Sequence, residues 1–156
     1  MAELKARLQA DLSTAIKSRA TIRMASLRMA LAAVTTEEVA GDVARELSDA
    51  EVQKVLTREV KKRKEAAEAF AGAGRAEQAK AEQDEAAVLS EYLPAQLGDD
   101  ELEQLVAEAV AEVTEQLGAA PGQRQMGQVM KAANAKIAGR AEGGRVAAAV
   151  RGKLAG

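Results

Sequence analysis

Two groups of cations are the residues best placed to do chemistry in this chain. Arg58, Lys61, Lys62, Arg63 and Lys64 form one run, in which Arg58, Lys61 and Lys62 share a side at helical spacing. The other lies towards the C-terminus and includes Lys131, Lys136, Arg140, Arg145 and Arg151. Cations on one face neutralise phosphates, and each such contact makes binding more sensitive to salt. The first run reads more simply as a solvated helix face, paired with Glu65 and Glu68 at i, i+4 spacing. The second is sharper. Between Gly98 and Pro121 stand seven carboxylates and no cation, whereas from Gly122 onward seven cations face Glu142 alone, a net charge of +6. That basic stretch either offers helix ends and arginines to an RNA backbone or pairs with the acidic stretch before it, and both readings stand open. Phe70 and Tyr92 are the only aromatic residues, so stacking on unpaired bases is not expected.

Other chemistry is thinly represented. The chain has no cysteine, which removes disulfides, thiolate catalysis and cysteine-ligated zinc, and no histidine, the usual near-neutral acid–base group and commonest metal ligand. Glu82, Asp84 and Glu85 read as solubility charges on a solvent-facing helix. Gly72-Ala73-Gly74 follows a helical pattern rather than a strand, so it lacks the context of a phosphate cradle. No catalytic residue, cofactor or metal is expected. The overall charge of −2 gives no global basic field. The N-terminus runs straight into a charged amphipathic pattern, and no stretch of about eighteen apolar residues follows, so a cytoplasmic protein without membrane association is expected.

The elements that must position these groups are all helical. Leu4, Leu8, Leu12 and Ile16 recur every fourth residue in a first helix ending near Ser18. A second, from Thr21 to about Ala40, turns Met24, Leu27, Leu31 and Val34 inward. Ser48 and Glu51 form a capping box opening a third helix through Val52, Val55, Leu56 and Val60 to Phe70, stopped at Gly72 and Gly74. A fourth runs from about Arg75 to Tyr92 before Pro94. A fifth opens on Asp99-Asp100-Glu101, where negative charge suits the helix dipole, a sixth spans Gln125 to Ala138, and a seventh Arg145 to Leu154. Gly127 within Met126-Gly127-Gln128-Val129-Met130 marks a close helix crossing or a turn at the helix start, with the methionines filling core gaps. The fold class is all-α: residues 1–96 form an N-terminal domain of about four helices and residues 97–156 a small three-helix domain.

Several segments, in order along nearly the whole chain, resemble the YqeY family, whose C-terminal domain is shared with the tail of GatB, the B subunit of the tRNA-dependent amidotransferase. They are Leu27-Arg28, Leu47-Ser48-Asp49-Ala50-Glu51, Lys61-Lys62-Arg63-Lys64-Glu65, Phe70 with Ala73-Gly74-Arg75, Glu91-Tyr92-Leu93-Pro94, and Met126-Gly127-Gln128-Val129-Met130. In the family pattern an aspartate precedes Met-Gly, where this chain has Gln125. The resemblance implies a tail that contacts the body of tRNA, with Lys131, Lys136, Arg140 and Arg145 on its phosphates and Gly139 and Gly143 allowing close approach. Partners would then be tRNA, or an aminoacyl-tRNA synthetase or amidotransferase component. The catalytic part of GatB is absent, so a glutamine-dependent carbon–nitrogen ligase is the third-ranked reading, behind a non-catalytic tRNA-binding accessory module and a protein–protein interaction module.

Overall fold

The computed structural model describes residues 2–155. Seven α-helices and one 3₁₀ turn follow one another, with no strand among the described residues: α1 (Glu3–Ser18), α2 (Thr21–Glu38), α3 (Asp49–Gly72), α4 (Ala76–Ser90), α5 (Asp99–Leu117), the 3₁₀ turn Gln123–Gln125, α6 (Met126–Ile137) and α7 (Gly143–Ala155). None is long and apolar enough to cross a membrane. The chain divides into two compact units, Met1–Leu93 and Pro94–Gly156.

In the first unit α2 packs on α1, α3 and α4. Its core is aliphatic, with Leu8, Leu27, Leu56 and Leu89 fully buried, as expected where almost no aromatic volume is available. The inward stripe of α1 differs from the expected one. Residues spaced by four drift about 40° per step around a 3.6-residue helix, so Ile16 has rotated to 46% exposure and Ala15 occupies the buried position instead. On α2, Ser26 is buried although polar, because its hydroxyl donates to the Ile22 carbonyl at 2.8 Å.

Helix α3 starts as its residues demand. The Glu51 amide donates to Ser48 Oγ at 3.3 Å, and the Ser48 amide donates to Glu51 Oε2 at 2.8 Å. Arg45 also grips Glu51, and with the Ser48 amide it holds that carboxyl down at about 2. Towards their far ends α3 and α4 bury Ala67 and Ala79, small side chains that let helix axes approach closely.

Charged groups knit α3 to α4. The guanidinium of Arg63, whose side chain is 14% exposed, lies 3.3 Å from Glu59, 3.3 Å from Glu85 and 3.8 Å from Glu82. Arg63 Nε and Glu82 Oε2 are buried without a hydrogen bond. Burial first, and then the neighbouring Glu82, push the Glu85 carboxyl above its ordinary range, against the pull of Arg63. Glu82 and Glu85, expected as plain solubility charges, therefore sit in a partly buried ionic cluster.

A second polar cluster joins α1, α2 and the end of α4. Tyr92, 4% exposed, donates its hydroxyl hydrogen to Asp11 and accepts from Arg23 at 3.3 Å. Arg7 lies over the ring at 4.5 Å, and Arg23 reaches Glu91 at 2.9 Å. Burial, followed by the bond to Asp11, pushes the phenol up to about 12. The Glu91-Tyr92 pair thus fastens three helices.

Candidate nucleic-acid interface

In the second unit α5, α6 and α7 pack pairwise around Val106, Ala109, Val113, Val129, Ala133, Ile137, Val146 and Val150. Helix α5 ends at Gly118, whose left-handed φ of 73° returns its amide to the Thr114 carbonyl at 2.8 Å. A 3₁₀ turn then leads into α6. The Gly122 amide donates to Gln125 Oε1 at 2.8 Å, so Gln125 closes the turn with a neutral side-chain amide. Met126 and Met130 lean on the core, as expected.

Gly127 occupies the second position of α6, and a Cβ placed there would meet nothing within 4 Å. No close helix crossing exists at this residue, and the turn into the helix is what it marks. Nothing in the fold calls for its backbone freedom, so Gly127→Ala should raise the stability of the second unit by about 0.5–1 kcal/mol, read as a higher Tm. A lower Tm would reveal a role for the glycine within the fold.

The five tail cations separate into two sets. Lys136 reaches Glu112 on α5 at 3.2 Å, and Arg145 reaches Asp99 Oδ1 and the Leu97 carbonyl, both at 3.0 Å. Arg140 folds back over the end of α6, donating to the Ile137 and Lys136 carbonyls at 3.0 and 3.1 Å. There it complements the negative end of the helix dipole. Ala138 and Gly139, with φ of 51° and 80°, make the reversal that brings it there. These three cations are engaged inside the unit: Lys136 and Arg145 pair with the acidic stretch, whereas Arg140 spends its donors on backbone carbonyls.

Lys131 and Arg151 are different: both are exposed and neither has a carboxylate partner. Around Lys131 the solvent face of α6 carries Gly127, Asn134, Ala135 and Ala138, all exposed and none acidic. The solvent face of α7 around Arg151 carries Ala148, Gly152 and Ala155, while two turns back the Gly144 amide donates to Glu142 Oε1 at 3.0 Å. Each cation therefore rises among uncharged neighbours, small ones around Arg151 and, around Lys131, Gln128 and Asn134 beside glycine and alanine. Composition flagged these residues, but only the placement of their neighbours distinguishes them from Lys136, Arg140 and Arg145.

The other basic run is largely committed within the first unit. Arg58 donates to Glu37 on α2 at 3.1 Å, and Lys62 to Glu59 at 3.2 Å. Glu37 is brought alongside α3 by α2, and Glu59 lies one turn back on α3 itself. Lys61 is exposed and also engaged. Among the described residues no group of three acidic, histidine or cysteine side chains is arranged to hold a metal ion.

No curated protein matches the sequence. A family model described as Yqey-like protein matches residues 5–154. With the match spanning both helical units, the chain belongs to the YqeY family.

Proposed function

We propose that the chain is a non-catalytic accessory module whose second unit docks on the sugar–phosphate backbone of a folded RNA, tRNA being the ligand that the resemblance to the GatB tail suggests. The observation that carries this reading is the pair Lys131 and Arg151, exposed cations without a carboxylate partner on the solvent faces of α6 and α7. Contacts of this kind fix position and supply affinity without reading bases. The lack of cysteine and histidine supports binding over catalysis. An aminoacyl-tRNA synthetase or an amidotransferase would meet the protein on the shared RNA.

Full-length protein titrated with tRNA over a salt series, beside an RNA duplex control, tests this. The parent chain should prefer tRNA and bind it in the micromolar range or better. The double variant Lys131→Glu/Arg151→Glu should bind roughly tenfold or more weakly, with a salt slope shallower by about one for each lost contact. Both positions are exposed, so its Tm should match the parent's. Unchanged affinity in the variant, or equal binding of tRNA and duplex, removes the support for an RNA role. A protein-docking role has separate support in the first unit, where α2 leaves an apolar face open to solvent.

A further inference from the structure

Helix α2 is apolar on both sides. One side fills the core with Leu27, Ala30 and Val34. The opposite side bears Ile22, Ala25, Met29, Ala32, Thr36 and, at the C-cap, Val39. Those positions alternate spacings of three and four, the period of a helix–helix seam. Ile22 is 48% exposed, Met29 36% and Val39 59%. Thr36 turns its hydroxyl back to the Ala32 carbonyl at 2.9 Å and so presents its methyl group. A helix with two apolar sides is normally enclosed, yet on this side Arg63 of α3 reaches the Met29 sulfur at 3.6 Å while Ile22 and Val39 stay open.

The charges beside the seam say what could cover it. No carboxylate stands on α2 before Glu37 and Glu38, and these are occupied by Arg58 and Lys5, at 3.1 and 2.8 Å. Arg28, on the seam side, is exposed and has no carboxylate partner, and the same holds for Lys17 and Arg19 just before α2. An apolar stripe with unpaired cations beside it fits a helix of opposite pattern. A second copy of the chain fits poorly: a two-fold crossing centred between Ala25 and Ala32 sets Arg28 against the Arg28 of the other copy. RNA would gain nothing from Ile22, Met29 and Val39.

We infer that the outward face of α2 is the docking site for an acidic amphipathic helix of a partner protein. Apolar residues of that helix would lie on Met29 and Ala32, and its carboxylates would meet Arg28 and Arg19.

The probe is a fluorescently labelled peptide of roughly three heptads with leucine at a and d and glutamate at e and g, titrated into full-length protein; the control carries lysine at e and g. The acidic peptide should bind saturably and at least tenfold more tightly than the basic one. Ala32→Glu, an exposed site with good helix propensity, should cut that affinity about tenfold at unchanged Tm. Arg28→Glu should reverse the preference between the peptides. Equal binding of both peptides, or full affinity in Ala32→Glu, overturns the proposal. So does sedimentation of the parent as a dimer that Ala32→Glu dissociates, since the face would then belong to a second copy. Loss of tRNA binding in Ala32→Glu would likewise assign the face to RNA. Peptide binding by the Lys131→Glu/Arg151→Glu variant should match the parent, which separates this inference from the RNA reading.

Discussion

Arg63→Met should cost the first unit about 3–5 kcal/mol at neutral pH, the range for removing one partner from a buried ionic group. The methionine keeps most of the apolar stem but leaves Glu59, Glu82 and Glu85 facing one another without the cation now 3.3 to 3.8 Å away. The cost should depend on pH in a definite direction. Glu85 already lies above its ordinary range in the fold, pushed there by burial and Glu82 and opposed by Arg63, so without Arg63 it would be driven further upward. A carboxyl raised above its unfolded value, about 4.3 for Glu, destabilises the fold while ionised. Between the two values the folded chain holds more protons than the unfolded one, so stability grows as pH falls. Urea unfolding of parent and variant should therefore show a gap that narrows from pH 7.5 to pH 5. A gap independent of pH would place the cost in packing and leave the ionic cluster energetically inert.

Ile137→Ala should have an effect of similar size on the other unit. Ile137 is 1% exposed and fills the contact between α6 and its neighbours. Truncating a buried Ile to Ala typically removes 2–5 kcal/mol. A unit of this size commonly has only about 3–9 kcal/mol in total, so much of the margin disappears. Amide exchange should accelerate throughout residues 98–155, and RNA affinity should fall with it. Lys131→Glu/Arg151→Glu should lose RNA affinity with exchange protection unchanged. Retained protection in Ile137→Ala would mean that the unit relaxes around the cavity.

Helix number, order and most boundaries were legible because they rest on local chemistry. The Ser48–Glu51 box and the glycine stop at Gly118 lie within a few residues of the helix ends they define. The ends of the second, third, fourth, sixth and seventh helices shift by one or two residues, as fraying termini do. What could not be read was pairing across sequence distance. Arg63 sat inside an apparently solvated basic run, and its decisive neighbours Glu82 and Glu85 arrive from α4. Asp11 and Tyr92 are 81 positions apart, and nothing local to either announces the other. For the same reason composition marked a basic tail without showing which cations remain available. That depended on Glu112 and Asp99 reaching Lys136 and Arg145 from another helix.

Leu97 bears on how such a tail can be moved between proteins. It precedes α5, yet its amide donates to the Arg140 carbonyl at 2.7 Å, its own carbonyl receives Arg145 at 3.0 Å, and its side chain is 7% exposed in the core of the second unit. A gene fusion that grafted only residues 98–156 onto another polypeptide would drop one core leucine and two hydrogen bonds. The natural splice lies upstream, near Pro94, where the first unit ends. A transferable cassette therefore starts near Pro94 and carries Leu97, with its two hydrogen bonds, along with the three helices.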